Sequence, residues 1–248
     1  MNRIFITLML LAFPLAAQQP TAKEIIDGMT ALMSQKYSRA TITQTIQTSS
    51  GKTRTLEFEM FSADTGSSVL IKYIKPTSVR DQAFLMLNDA NDIWTYFPRT
   101  RRVRKLASSA KNQKVQGSDF SYSDFSSSDT WQEDYTSTLV GEEEVRGTPC
   151  WKLEAVETES NDSDYPRVIL YVRKSDYSPL RIEYFYDQEV HEKTLLLEDI
   201  ETIEGVPTAK RMVMKNLLEG SETIMTIKEI TYQWRPPKGF FSERNLQR

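Results

Sequence analysis

The 248-residue chain holds one cysteine, Cys150, and one histidine, His191. A lone cysteine excludes an intrachain disulfide and any metal site built on paired thiolates. A lone histidine leaves little room for histidine-based catalysis, and His191, near Asp187 and Glu189, reads as a surface residue rather than a base. The sequence also lacks H-E-x-x-H, a Gly-rich phosphate loop and G-x-S-x-G. It lacks a basic excess: the net charge is −3, which argues against general nucleic-acid binding. Beyond the first residues it has no apolar run long enough to cross a bilayer as a helix. Cys150 sits beside Trp151 in an apolar, strand-like context and reads as an inert buried thiol. These absences predict a protein that is not an enzyme and carries neither cofactor nor metal.

The opening residues, MNRIFITLMLLAFPLAAQQP, are the exception to the missing apolar runs. Arg3 supplies a positive start, Ile4 to Leu15 a short apolar core, and Ala16-Ala17 small residues before a cleavage point. This predicts a signal peptide over 1–17 and a mature chain, 18–248, forming one domain. No cysteine follows the cleavage point, so the mature protein is not expected to be a lipoprotein itself. The short signal favours a bacterial envelope, hence the periplasm.

TAKEIIDGMTALM then places Ile25, Ile26, Met29, Leu32 and Met33 at helical spacing, with Thr21 and Glu24 positioned as a capping box. After Ser38 the period changes to two. In TRTLEFEMFS, Leu56, Phe58 and Met60 alternate with Glu57 and Glu59, and similar runs continue to the C-terminus between turn-forming residues. The tally is about eleven antiparallel strands. Polar residues hold one face and mixed apolar residues the other, so a sheet this long must curl to bury its apolar face, by closing as a barrel, folding as a sandwich or curling around helices, and the N-terminal helix and the 115–128 segment favour the last. Glu, Lys and Arg on the outer positions disfavour a membrane-spanning barrel.

Three groups of residues stand out. PRTRRVRKL carries Arg99, Arg101, Arg102, Arg104 and Lys105 without an acid. Arg101, Arg102, Arg104 and Lys105 are candidates for docking an anionic headgroup, a membrane surface or an acidic partner, or else for protecting a sheet edge. GSDFSYSDFSSSD interrupts the strands with Ser and Asp, yet contains Phe120, Tyr122 and Phe125. Ser118 and Ser121 are candidate N-caps, and the three rings would suit either a lid over an apolar cavity or a plug in the core. On the strands, Phe58, Tyr73, Phe84, Trp94, Tyr96, Trp151, Tyr171, Tyr184 and Tyr186 are candidate core or ligand-facing aromatics.

DIWTYFPRTRRVRKL, the following GSDFSYSDF and the earlier YIKPTSVRDQAFLML resemble the bacterial outer-membrane lipoprotein-sorting family, in a LolA-like branch of the LolA/LolB superfamily. The resemblance runs through the mature chain, and GSDFSY is its most specific part. It implies a mainly β fold: an unclosed antiparallel half-barrel with an N-terminal helix and short lid helices over a hydrophobic cavity. It implies a monomeric periplasmic carrier that takes the acyl chains of a lipoprotein or phospholipid from an inner-membrane transporter to an outer-membrane acceptor. The alternative on the same fold is a non-catalytic module that senses envelope lipoproteins. In the carrier reading Phe58, Tyr73, Phe84, Trp94, Tyr96, Phe120, Tyr122, Phe125, Trp151, Tyr171 and Tyr184 would line the cavity and its lid. The chain departs from LolA around Ile74-Lys75-Pro76, where a lid-latching Arg has no clear counterpart.

The physics of such cargo sets the design. Two chains of about 16 carbons, at ~0.8 kcal/mol per methylene, would cost ~25 kcal/mol to leave in water. Non-covalent affinity saturates at roughly 18–21 kcal/mol. A carrier that must also release its cargo should therefore shield the chains broadly and make few directional bonds.

Overall fold

The computed structural model describes residues 19–126, 131–159, 165–187 and 189–247. The expected signal peptide, 1–17, lies outside the described residues. Helix α1, Ala22–Met33, begins as its sequence predicts. The Thr21 hydroxyl accepts from the Glu24 amide, and the Glu24 carboxylate accepts from the Thr21 amide at 2.7 Å. Ile25, Ile26 and Met29 form its buried stripe.

The strands are β1 (Tyr37–Gln47), β2 (Thr53–Ala63), β3 (Ser68–Lys75), β4 (Ala83–Leu87), β5 (Asp92–Phe97), β6 (Arg102–Lys105), β7 (Tyr135–Val145), β8 (Thr148–Glu157), β9 (Arg167–Arg173), β10 (Pro179–Tyr186), β11 (Val190–Ile203), β12 (Val206–Asn216) and β13 (Ser221–Thr231). They form one antiparallel sheet in the order β6-β5-β4-β3-β2-β1-β13-β12-β11-β10-β9-β8-β7. Among the described residues the count is thirteen rather than about eleven. The strand with least signal is β6, four residues with only Val103 to mark it as apolar.

The order has a consequence for the chain path. β1 and β13 pair at the middle of the sheet, while β6 and β7, neighbours in sequence, are its two edges. The segment joining β6 to β7 must therefore pass from one edge to the other. It contains 3-10 turns at Ser108–Asn112 and Val115–Gly117, helix α2 (Tyr122–Phe125) and helix α3 (Trp131–Asp134). The sheet is thus an open half-barrel with helical cover on its inner face.

That inner face holds two adjoining apolar clusters. One gathers β1–β5, β12 and β13 under the β6–β7 segment; the other packs α1 on β8–β10. Tyr184 and Leu195 pack against both, so the inner face is continuous. Gly28 of α1 shows how close this contact is: a Cβ there would lie 2.5 Å from the Tyr177 ring. The outer face carries ion pairs such as Arg39–Glu59 at 2.6 Å and Arg167–Glu154 at 2.6 Å. It also carries a third cluster, where Trp234, Phe240, Phe241 and Leu246 of the C-terminal segment cover β2–β6.

Candidate functional site

Alternation along β2, β3 and β4 turns Phe58, Tyr73 and Phe84 to the same inner face, where all three are buried. Phe58 meets Tyr73 at 5.3 Å between ring centroids, and Tyr73 meets Phe84 edge-on at 6.0 Å. The β6–β7 segment lays three more rings on this platform. Tyr122 stands edge-on to Phe84 at 5.4 Å, Phe125 edge-on to Phe58 at 6.2 Å, and Phe120 lies 5.9 Å from Phe125. Tilted and edge-on pairs suit the ring quadrupoles, each worth about 0.5–1.5 kcal/mol beyond burial. Six rings thus form one connected chain between cover and sheet. Phe120, Tyr122 and Phe125 are only 4%, 7% and 6% exposed. Burial pushes the Tyr122 hydroxyl up to about 12 and raises Tyr73 as well.

The polar residues of GSDFSY explain how rings in so polar a segment reach the sheet. Ser121 caps α2: its hydroxyl accepts from the Asp124 amide at 3.2 Å, and Asp124 accepts from the Ser121 amide at 2.7 Å. Asp119 is the anchor. Its buried carboxylate accepts from Ser221 at 2.5 Å and Thr223 at 2.8 Å, both on β13, and faces Lys114 at 3.4 Å. The Asp119 amide donates to Thr223 at 2.9 Å. Arg54 of β2 donates to the Gln116 carbonyl, and Ser126 to that of Gly66 at 3.2 Å. The segment is pinned by directional bonds at a few points and held elsewhere by apolar contact.

The other sequence-predicted residues divide by face. Trp151 lies on the inner face, stacked on Tyr177 at 5.3 Å under α1. Tyr184 bridges the two inner clusters, and burial raises its hydroxyl well above the ordinary tyrosine value. Trp94 and Tyr96 instead share the outer face of β5 with Val103, beneath the C-terminal segment. Tyr171 is also on the outer face, with the Arg181 guanidinium 3.6 Å from its ring centroid. The structure does not bring these three to the six-ring site. Their strands are apolar on both faces, so alternation alone could not choose between them.

The basic residues flank the site's edge. Arg101 occupies the β5–β6 turn with φ of 52°, and Arg102 and Arg104 are exposed on β6. Among the described residues, Arg99, Arg101, Arg102 and Arg104 form no ion pair, whereas Lys105 pairs with Asp92 at 2.5 Å and covers the Trp94 ring at 5.0 Å.

Two residues of the site were not singled out by sequence reasoning. Asp119 was visible only as the acid of GSDF. Gln44 of β1 sits between Ile42 and Ile46 on the inner face, fully buried, and its amide nitrogen and oxygen have no hydrogen-bond partner among the described residues. Its signal was a polar residue at an apolar position of the alternation in ITQTI.

Neither of two open cavities lies among the six rings, although the first reaches Ser221 beside the Asp119 anchor. One of about 310 Å³ adjoins Gln47, Lys215 and Leu217, and one of about 200 Å³ is lined by Arg146, Leu180 and Glu198. The six-ring face itself is filled by its own side chains. Among the described residues, no group of His, Cys, Asp and Glu could hold a metal ion, and no helix is long and apolar enough to cross a membrane.

Comparison with known proteins decides the family. A family model described as "Uncharacterized protein" matches residues 65–248. A crystal structure described as an outer membrane lipoprotein-sorting protein domain, from Vibrio parahaemolyticus, superposes with a TM-score of 0.81 at 25% identity, covering 91% of this chain and 97% of that one. A DUF1329 family protein from Desulfovibrio piger gives 0.82 at 26% identity, over 91% and 98% of the two chains. The chain belongs to the family of that model, and its fold is LolA-like. A LolA superfamily protein from Nitrosomonas europaea shares the fold, with a TM-score of 0.75 at 19% identity over 92% and 100% of the chains. No curated protein matches the sequence. The six rings of this LolA-like chain therefore sit on the inner face of a fold shared with a lipoprotein-sorting domain.

Proposed function

We propose that this LolA-like protein is a periplasmic carrier that shields the acyl chains of a lipoprotein or lipid on its inner face and moves them from an inner-membrane exporter toward the outer membrane. The observation that carries this reading is the β6–β7 segment. It spans an open sheet from edge to edge, is pinned through Asp119, and contributes Phe120, Tyr122 and Phe125 to an apolar platform. In the empty protein the rings occupy the place of cargo. When cargo enters, they give way and then lie against the acyl chains, so apolar surface stays covered in both states. Few directional bonds are broken, which suits a protein that must release what it binds. The exposed arginines at the β5–β6 hairpin steer the carrier to an anionic membrane or acidic partner. The signal over 1–17 directs export and is removed.

The test combines lipid retention with melting for Phe120→Ser/Phe125→Ser. Protein purified from a bacterial periplasm is examined by native mass spectrometry for acyl cargo. The wild type carries it, and the double variant loses most of it while the sheet still melts cooperatively. Core plugs would instead cost ~3–5 kcal/mol per ring. A large fall in melting temperature with undiminished cargo in the folded fraction would count against the movable cover. A stable protein partner without any acyl cargo would favour the sensing module.

A further inference from the structure

The inner face under the β6–β7 segment is apolar except at a few points, and Gln44 is the most conspicuous. Its strand neighbours on that face are Ile42 and Ile46, and its cross-strand partners are Leu56 and Met225. It is 0% exposed, and both amide atoms lack a hydrogen-bond partner among the described residues. A second such group is the Tyr73 hydroxyl, on the strand position paired with Phe58, which is also buried and has no hydrogen-bond partner among the described residues. Leaving buried polar atoms unbonded costs about 1–3 kcal/mol each, and Leu or Met would fill the same space without that cost. A surface meant only for hydrocarbon has no use for an amide.

Register places Gln44 beneath the cover. Two residues along β1, Ile46 pairs with Thr223, the hydroxyl that holds Asp119. Two residues beyond its partner Leu56, Phe58 carries Phe125. Gln44 thus lies between the segment's anchor and its ring contacts, where the interior is uncovered if the rings give way.

We propose that Gln44 is a hydrogen-bonding subsite for the carbonyl of an acyl linkage, so that the cargo is an acyl ester or amide drawn in past its carbonyl rather than a bare alkyl chain. The amide N–H₂ donates to the acyl carbonyl, and the cargo supplies the partner that the empty protein lacks. This rests on the carrier reading and gives it a chemical class of cargo.

Two probes that differ only at the carbonyl test it: 1-lauroylglycerol, an ester, and 1-dodecylglycerol, its ether. Calorimetric titration below their micelle concentrations compares the wild type with Gln44→Met, which keeps the length of the side chain, and Gln44→Leu. Both variants remove an orphaned amide, so both should melt at or above the wild-type temperature. The expected result is a loss of about five- to tenfold in affinity for the ester, with the ether unchanged. Affinities for both probes that stay the same, or that fall equally, overturn the subsite while leaving the carrier reading intact. A wild type that binds neither probe overturns both.

Discussion

Asp119 concentrates the site's polar energetics in one side chain. Its carboxylate is buried and bonded to Ser221 and Thr223, with Lys114 beside it. Asp119→Ala would take the acceptor from the buried Thr223 hydroxyl and one partner each from Ser221 and Lys114, which keeps its pair with Glu219, so it should cost about 2–3 kcal/mol. Urea unfolding measures this, and a loss under 1 kcal/mol would contradict the anchor. Tyr122 makes a pH-dependent prediction. Burial lifts its hydroxyl to about 12, from an ordinary value of about 10. The folded state therefore favours the neutral phenol, and its contribution is complete below about pH 10 and lost as pH rises through about 12. Absorbance titration should find one fewer late-ionising tyrosine in Tyr122→Phe, and that variant should retain its cover further into alkali. At this scale the sequence was only partly legible. Phe58, Tyr73 and Phe84 could be read as inner residues from alternation with acids on β2 and from apolar neighbours elsewhere. Asp119 could not be assigned a partner, because Ser221 and Thr223 lie about a hundred positions away in sequence. Gln44 looked like any polar residue in a Thr-rich strand.

Among the elements, α1 was the most legible, since capping chemistry and a 3.6-residue stripe agree. Its packing was not, and Gly28 is the instance. In an exposed helix Gly→Ala stabilises by about 1 kcal/mol. Here the new methyl would meet the Tyr177 ring at 2.5 Å, so Gly28→Ala should instead destabilise by about 1–3 kcal/mol. Thermal melting decides the sign, and a gain in stability would mean that Tyr177 moves aside freely. The β5–β6 hairpin separates into two roles that its sequence left joined. Lys105 is engaged with Asp92 and Trp94, while Arg101, Arg102 and Arg104 are exposed. Replacing those three arginines with Ser should change stability by no more than about 0.5 kcal/mol. It should weaken binding to anionic vesicles at low salt and matter less at high salt. Unchanged vesicle binding at low ionic strength would reduce the arginines to edge protection of β6. Strand faces were ambiguous wherever both sides are apolar. The partial burial of Trp94 and Tyr96 on the outer face depends on Trp234, Phe240 and Phe241, more than a hundred residues later, and no local pattern announces that cover.

Across the whole molecule, topology explains why a Ser- and Asp-rich segment carries three large rings. Pairing of β1 with β13 at the middle sends the two sequence-adjacent strands β6 and β7 to opposite edges. The chain between them has to cross the open face, and whatever it presents there becomes either core or cover. Its polar residues anchor it at Asp119 and cap α2, and its aromatic residues face the sheet. The half-barrel was legible from the period-two runs and the resemblance. The edge-to-edge crossing was not, since strand order depends on pairings between the ends of the chain. The central claim is that acyl cargo enters between this cover and the sheet. Site-specific photo-crosslinking in the periplasm tests it most directly, with benzoylphenylalanine placed at Phe58 on the inner face or at Phe61 on the outer face. The account predicts acyl-bearing adducts, identified by mass spectrometry, at position 58 and none at position 61. Adducts at neither position, or equally at both, would contradict it.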